Sequence, residues 1–314
     1  MTRRLRILTW HVHGNYLHYL SHIPHDLWLV HDTSGQPFRS GRSGRLPWSD
    51  NVHDAPVSDL PGMRFDAVLY QSRHNWLHDR HLLSAEQHAL PVIALEHDPP
   101  QEHPTNTRHW AADEAAAIVH VTAFNALMWD NGRARSVVIE HGVRPLAAAR
   151  YSGEIEAGIT VVNDLAKRGR RLGLDVFEQA RERAPLVLAG MGSEALGGIG
   201  EIAHDELASV MARHRFFFHP VRYTSLGLTL LEAMFAGVPV VALATTELAS
   251  VLRDGDTGFI DTRPEVLHER MQELLANRTL AQALGERGRR LAMSRFSIGR
   301  FAADWDRLLR EVCG

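Results

Sequence analysis

The strongest constraint on the fold is the alternation of short apolar runs with segments of helical periodicity along the whole 314-residue chain. The runs are continuously apolar, which is typical of strands that are covered on both faces. Strands of this kind separated by helices predict parallel sheets with helices on both sides, an α/β fold. The runs form two series, at residues 5–10, 27–30, 67–70, 92–95, 118–121 and 137–139, and then at 159–162, 186–189, 216–218 and 238–243.

The gap between the two series, at residues 144–153, predicts a boundary between two Rossmann-like domains. Because this link is short, we expect the domains to face each other across a cleft. Ligands of such sheets bind outside the carboxyl ends of the strands. The last segment has apolar residues at helical spacing, so we expect a helix that packs back toward the first domain. The predicted segments are residues 1–150, 151–296 and 297–314.

Composition argues against several classes of protein. No run of about 18 apolar residues is present, so we expect no transmembrane segment. The net charge of -3 shows no basic excess, which argues against nucleic acid as a partner. Cys313 is the single cysteine, so an internal disulfide is excluded and a cytoplasmic protein is expected. The basic residues Arg3, Arg4 and Arg6 are compatible with association with the inner membrane surface.

The most informative segment follows the run at 216–218. A helix is predicted to begin near Gly227 and to end at Gly237. Gly227 has no side chain, so a ligand can approach the backbone there. The free N–H groups of the helix start, at Leu228 and Thr229, suit a phosphate group.

Glu232 lies about one turn inside this predicted helix. Helical side chains lean toward the N-terminus, so the carboxylate can reach back to the helix start. Like charges repel, so we expect the carboxylate to bind a ribose diol rather than the phosphate. The alternative is a helix residue that is solvated or takes part in capping.

This segment resembles the retaining glycosyltransferases of family 4, which have the GT-B fold. Their pattern is Glu-x-Phe-Gly-x-x-x-x-Glu-Ala-x-x-x-Gly-x-Pro-Val-Val. The matching residues are Gly227, Glu232, Ala233, Gly237, Pro239, Val240 and Val241. The chain departs from the pattern at Thr224 and Leu226, which stand in place of the first glutamate and the phenylalanine. The resemblance implies that Glu232 holds the ribose and that Thr224 lies where the family contacts the transferred sugar.

Further matches extend the resemblance along the second domain. In the family an arginine and a lysine clamp the diphosphate, and the corresponding residues here are Asn163 and Arg168, with Lys167 beside Arg168. Arg222 is a further candidate for the diphosphate. The alternative for Lys167 and Arg168 is a solvated basic patch at a helix start.

A Gly-x-Gly motif follows the run at 186–189, at Gly190 and Gly192, as it does in the family. Residues 198–202 resemble the family's short strand that lines the nucleobase, which makes Ile202 a candidate for the base.

In the first domain, His97 follows a strand and resembles the histidine that faces the donor sugar in the family. Gly14 follows the first strand, where the family's glycines approach the phosphates. A metal site is the alternative here. Two candidate ligand sets are the pair His11 and His13, and the cluster Glu96, His97, Asp98, Glu102 and His103.

The resemblance therefore implies a retaining, metal-independent, hexosyltransferase-type enzyme without a cofactor. It would move a sugar from a nucleotide-diphosphate sugar to the hydroxyl of an acceptor, which is a glycan, a lipid-linked glycan or a small molecule. The catalytic candidates are His97, Arg168, Lys167 and Glu232. Three alternatives stay open: a non-catalytic nucleotide-sugar-binding protein, a nucleotide-sugar epimerase and a metal-dependent hydrolase.

Overall fold

All strand pairings within the two sheets of the computed structural model are parallel. The structure describes residues 3–44, 46–145 and 149–314. Residues 146–148, which belong to the expected linker, lie outside this part of the chain. The chain divides into unit 1, Met1–Gly142 with Ile298–Gly314, and unit 2, Val143–Ser297. The prediction of two Rossmann-like, parallel-sheet domains is confirmed.

Unit 1 contains a seven-stranded sheet. Its strands are β1 (Arg6–Thr9), β2 (Asp26–His31), β3 (Val52–Pro56), β4 (Ala67–Tyr70), β5 (Val92–Glu96), β6 (Ala117–His120) and β7 (Arg135–Val138). Its first helices are α1 (Gly14–Leu20), α2 (Arg73–His78), α3 (Ala85–His88) and α4 (Ala123–Met128), with 3-10 turns at Leu60–Gly62 and Arg80–Leu82. The order β3-β2-β1-β4-β5-β6-β7 reverses between β1 and β4. In open α/β sheets this switch point is where ligands bind.

Unit 2 contains a five-stranded sheet. Its strands are β8 (Ile155–Val161), β9 (Leu186–Ala189), β10 (His214–His219), β11 (Val240–Leu243) and β12 (Phe259–Asp261). Its helices are α5 (Leu165–Arg168), α6 (Leu174–Arg181), α7 (His204–Arg213), α8 (Leu228–Ala236), α9 (Leu248–Val251), α10 (Pro264–Ala276) and α11 (Arg278–Arg295), with 3-10 turns at Gly169–Leu172 and Ser193–Leu196. The order β12-β11-β10-β8-β9 reverses between β8 and β10, which sets the switch point of this unit.

Helix α12 (Ile298–Cys313) closes the chain and belongs to unit 1. Its buried residues Phe301, Trp305, Leu308 and Leu309 share one face, as the periodicity requires. The indole N–H of Trp305 donates to the Tyr16 hydroxyl of α1 over 3.1 Å. Phe301 packs so closely on Gly142 that a Cβ there would lie 2.2 Å from the Phe301 Cβ. Only glycine therefore fits at this position.

All ten apolar runs form strands, with ends that differ by a few residues from those expected. The sequence analysis did not predict two strands, β3 and β12, and both lie at sheet edges. The prediction of a short strand at residues 198–202 was wrong. These residues form a loop, in which Gly198 donates to Ser193 O over 2.9 Å and Gly200 has a φ of 84°. Among the described helices, none is long and apolar enough to cross a membrane.

Candidate functional site

Helix α8 starts beside the switch point of unit 2. Gly227 is its N-cap and Gly237, with a φ of 83°, is its C-cap, so the helix predicted between these glycines is confirmed. No side chain caps the N-terminus, and residues 227–229 are only half-buried. An added Cβ at Gly227 would meet only His219 Cε1, at 4.0 Å, among the described atoms. This helix start therefore presents backbone N–H groups and the positive end of the helix dipole.

Glu232 lies within α8 and is only 6% exposed. Its Oε1 lies 3.8 Å from Nδ1 of His204, the first residue of α7. The sequence analysis missed His204, because only the tertiary structure brings the start of α7 against α8. A buried carboxylate needs hydrogen-bond donors, and a vicinal diol supplies two of them.

His219 ends β10 and is also buried, at 7% exposure. Burial lowers the pKa of its imidazole to about 4, so the ring is neutral at pH 7. Its Nδ1 has no hydrogen-bond partner among the described residues. The sequence analysis did not single out His219, and the structure makes it a further candidate beside Gly227.

The loop after β8 carries the proposed diphosphate residues. Lys167 is exposed and Arg168 half-buried, and both lie in α5, which is a single turn of helix. Asn163 accepts a hydrogen bond from the backbone N–H of Met191 over 2.9 Å. Asn163 therefore joins this loop to the Gly-x-Gly loop, instead of presenting the guanidinium that the family has there.

Two glycines of that loop are required by the backbone. Gly190 has a φ of 118° and Gly192 a φ of 71°, and a Cβ at Gly190 would lie 2.7 Å from Val162 O. Ile202 is half-buried and lies two residues before His204. The chain thus places Ile202 next to the residue that approaches Glu232.

Arg222 follows β10 and its guanidinium is occupied within the protein. It forms a bidentate ion pair with Asp175, in which Nη2 lies 2.8 Å from Oδ2. It also donates a hydrogen bond to Arg170 O over 2.9 Å. Hydrogen bonding to Arg222 holds the pKa of Asp175 below its usual value. Backbone N–H groups of Arg222 and Tyr223 donate to Arg171 O. Arg222 therefore joins the two loops that flank the switch point, and half-buried Thr224 follows two residues later.

The candidates of unit 1 lie at the carboxyl edge of its own sheet. Gly14 begins α1, and a Cβ there would lie 2.9 Å from Leu46 Cδ1, so the chain packs tightly at this residue. His97 follows β5, and its ring lies 4.3 Å from that of His13 and 4.7 Å from that of Tyr16. Desolvation, and then the neighbouring His13 and His141, lower the pKa of His97 well below its usual value. His97 is therefore neutral at pH 7.

Three of the residues considered as metal ligands contact other groups of the protein. His11 contacts Gly41 O over 2.7 Å, and Glu96 lies 3.3 Å from His109 Nε2. Glu102 pairs with Arg73 over 2.8 Å. Among the described residues, no group of three or more His, Cys, Asp or Glu side chains is placed to hold a metal ion.

Two solved structures of low sequence identity resemble nearly the whole chain. The Anabaena HepE structure in complex with UDP and glucose has a TM-score of 0.74 at 14% identity, and covers 98% of this chain and 100% of that one. Sucrose-phosphate synthase from Thermosynechococcus elongatus has a TM-score of 0.70 at 18% identity, with 98% and 99% covered. The chain has the GT-B fold of two Rossmann-like domains.

Two sequence comparisons each cover a part of the chain. Residues 177–291 match the family Glycosyl transferases group 1. An uncharacterized glycosyltransferase of Methanocaldococcus jannaschii is 32% identical over 93 residues, which are 29% of this chain and 26% of that protein. The chain thus aligns with about a quarter of this relative's length. Over these residues the chain is similar to glycosyl transferases of group 1.

Proposed function

We propose that the chain is a retaining glycosyltransferase of family 4, which moves a hexose from a nucleotide-diphosphate sugar to an acceptor hydroxyl. The observation that carries this proposal is the switch point of unit 2, where an uncapped helix start at Gly227 lies on the same helix as the buried carboxylate of Glu232. The match of residues 177–291 to group 1 supports it. The Anabaena HepE structure contains UDP and glucose, which supports the donor class.

The main barrier to such a transfer is departure of the diphosphate while the sugar gains oxocarbenium character. Groups that are already aimed at the growing phosphate charge lower this barrier. We assign this role to the N–H groups at the start of α8, to Arg168 and to Lys167. The guanidinium of Arg168 can bind two phosphate oxygens at once, and Lys167 acts as a point charge. These groups supply positive charge without a metal ion.

Glu232 has a different role, because a carboxylate repels phosphate oxygens. We assign its two oxygens to the 2′- and 3′-hydroxyls of the ribose, because a vicinal diol offers two hydrogen-bond donors to a carboxylate. We assign Ile202 to the nucleobase, and Gly190 and Gly192 to close approach of the nucleotide. In unit 1 we assign His97 to the transferred sugar and Gly14 to the phosphates.

The first test is donor binding. Calorimetry and thermal shift with UDP, GDP, dTDP, ADP and CDP, each with and without chelator, should show selective binding of one diphosphate that the chelator does not remove. If the folded protein binds none of them, the proposal is refuted. If the chelator abolishes binding, the metal-independent part is refuted.

Glu232→Gln tests the ribose assignment. A hydrogen bond to a charged group contributes about 1.5–3 kcal/mol, so the Kd of the selected diphosphate should rise about 10- to 100-fold. The 2′,3′-dideoxy diphosphate should bind the wild-type protein and this variant equally, because it lacks the hydroxyls concerned. Glu178→Gln, at an exposed position of α6, is the control and should leave the Kd unchanged. An unchanged Kd in Glu232→Gln would exclude the ribose role.

Arg168→Gln tests the diphosphate assignment. Removal of one donor from a preorganised charge-binding site costs about 100- to 1000-fold in kcat, so we expect a loss of that size. Arg290→Gln, at an exposed position of α11, is the matched control. Single-turnover kinetics with the donor selected above would measure both. Wild-type turnover in Arg168→Gln would rule out this role.

Thr224 favours a second candidate, a nucleotide-sugar-binding protein without transfer activity. Threonine stands where the family has the glutamate that contacts the sugar. This candidate predicts tight donor binding, no transfer over a broad acceptor panel, and no gain of transfer in Thr224→Glu. Transfer by the wild-type protein would exclude it.

A further inference from the structure

Gln71 occupies the switch point of unit 1 and is 4% exposed. It follows β4, and its Nε2 donates to Thr9 Oγ1 over 3.0 Å and to Trp10 O over 3.1 Å, at the end of β1. The backbone carbonyl of Trp10 can only accept a hydrogen bond. The amide of Gln71 is therefore held in one orientation, with Nε2 toward β1 and Oε1 on the opposite side.

Oε1 of Gln71 lies 3.3 Å from Nε2 of His97. An amide oxygen can only accept, so Nε2 of His97 must carry the hydrogen in this contact. In a neutral imidazole the other nitrogen, Nδ1, then has the lone pair. The low pKa of His97, caused mainly by desolvation, keeps the ring in the neutral form at pH 7. The edge contacts with His13 and Tyr16 hold the ring plane.

We propose that Gln71 is a positioning residue, which holds His97 as the Nε2–H tautomer so that Nδ1 accepts a hydrogen bond from a hydroxyl of the transferred sugar. The contact with the sugar rests on the proposed function, whereas the tautomer does not. Because Nδ1 accepts a hydrogen bond, it favours a ligand group that donates one. A hydroxyl group donates, but an ionised phosphate oxygen does not, so Gln71 makes His97 a group that binds sugar rather than phosphate.

The tautomer is measured without any ligand. Long-range 1H–15N correlation spectra of histidine-labelled protein distinguish the two ring nitrogens, and His97→Asn identifies the signal. We expect the wild-type spectrum at pH 7.5 to show a protonated Nε2 and an unprotonated Nδ1 for His97. A dominant Nδ1–H tautomer of His97 in the wild-type protein would overturn the proposal.

Two substitutions of Gln71 distinguish a role in positioning His97 from a role in packing alone. Gln71→Met removes the acceptor and should produce a mixture of tautomers, whereas Gln71→Glu retains an acceptor and should keep Nε2 protonated. Gln87→Met is the matched control. Gln87 is an equally buried glutamine, which donates to Leu60 O and Met63 O, and its loss should leave the His97 signal unchanged. An unchanged His97 tautomer in Gln71→Met would overturn the positioning role.

The sugar contact is tested with the donor selected by the binding panel. Gln71→Met should lower kcat/KM about tenfold while the Kd of the nucleoside diphosphate, which lacks the sugar, stays unchanged. Unchanged kcat/KM together with an altered tautomer would overturn the sugar contact. If no diphosphate binds at all, the proposed function fails, while the tautomer result is unaffected.

Discussion

The buried histidine at the end of β6 predicts a loss of stability in acid. His120 is 0% exposed, and its Nε2 lies 2.8 Å from Oδ1 of Asn131. Asn131 donates its own N–H groups to backbone carbonyls, so His120 is the donor in this contact. Nδ1 of His120 has no hydrogen-bond partner among the described residues. Protonation would therefore place an unpaired N–H in a buried position, and desolvation lowers the pKa to about 4.

The direction in which pH changes the free energy of unfolding follows from proton linkage. A histidine in the unfolded chain has a pKa of about 6.5, so between about pH 6.5 and pH 4 the unfolded state binds more protons than the folded state. The free energy of unfolding therefore decreases as the pH falls through this window. For pKa values of about 6.5 and 4, the loss between pH 7.5 and pH 5 is about 2 kcal/mol for this one residue.

His120→Gln removes the titration while keeping an amide N–H for Asn131. All seven tryptophans lie in unit 1, so tryptophan fluorescence during urea unfolding reports on the unit that contains His120. Wild-type protein should lose about 2 kcal/mol more than the variant between pH 7.5 and pH 5. His81→Gln, at an exposed position, is the control for replacing a histidine. Equal losses in wild-type protein and His120→Gln would refute the reasoning.

Two further predictions concern backbone geometry in unit 2. Thr246 has a φ of 50°, which is unfavourable for a β-branched residue, so Thr246→Gly should raise the free energy of unfolding by about 1 kcal/mol in urea unfolding followed by circular dichroism. A lower free energy of unfolding in Thr246→Gly would contradict backbone strain at this residue. Gly285→Ala should cost about 2 kcal/mol or more in the same assay, because the new Cβ would lie 2.0 Å from Gly237 O. Gly299→Ala, where nothing lies within 4 Å, is its control and should be neutral or stabilising; an equal effect in both variants would contradict the packing.

The loop after β11 contains Thr246, which has a left-handed backbone conformation. Thr245 donates its hydroxyl to Val221 O over 2.8 Å, which ties this loop to the loop after β10. Strain of about 1–3 kcal/mol is retained where the surroundings enforce it, often at functional sites. This loop is therefore part of the same carboxyl edge as Gly227.

Two edge strands and the polar contacts between distant residues were the hardest features to predict. Strand β3 includes His53, Asp54 and Pro56, and β12 has only three residues, so neither shows the continuous apolar pattern of a central strand. Arg222 was a reasonable diphosphate candidate as an isolated charge. Its pairing with Asp175 joins residues 47 positions apart, which no local pattern reveals. The roles of the candidate site residues stay predictions until donor binding is measured.

The sequence by itself determined the α/β class, ten of the twelve described strands and helix α8 with its glycine caps, because each depends on short-range periodicity and on backbone preferences of single residues. Only the tertiary structure decided which polar groups meet. It placed His204 against Glu232 and turned the amide of Gln71 toward His97. The physical reason is that the order of strands in a sheet brings together loops that are distant in sequence, and hydrogen-bond partners are fixed by that order.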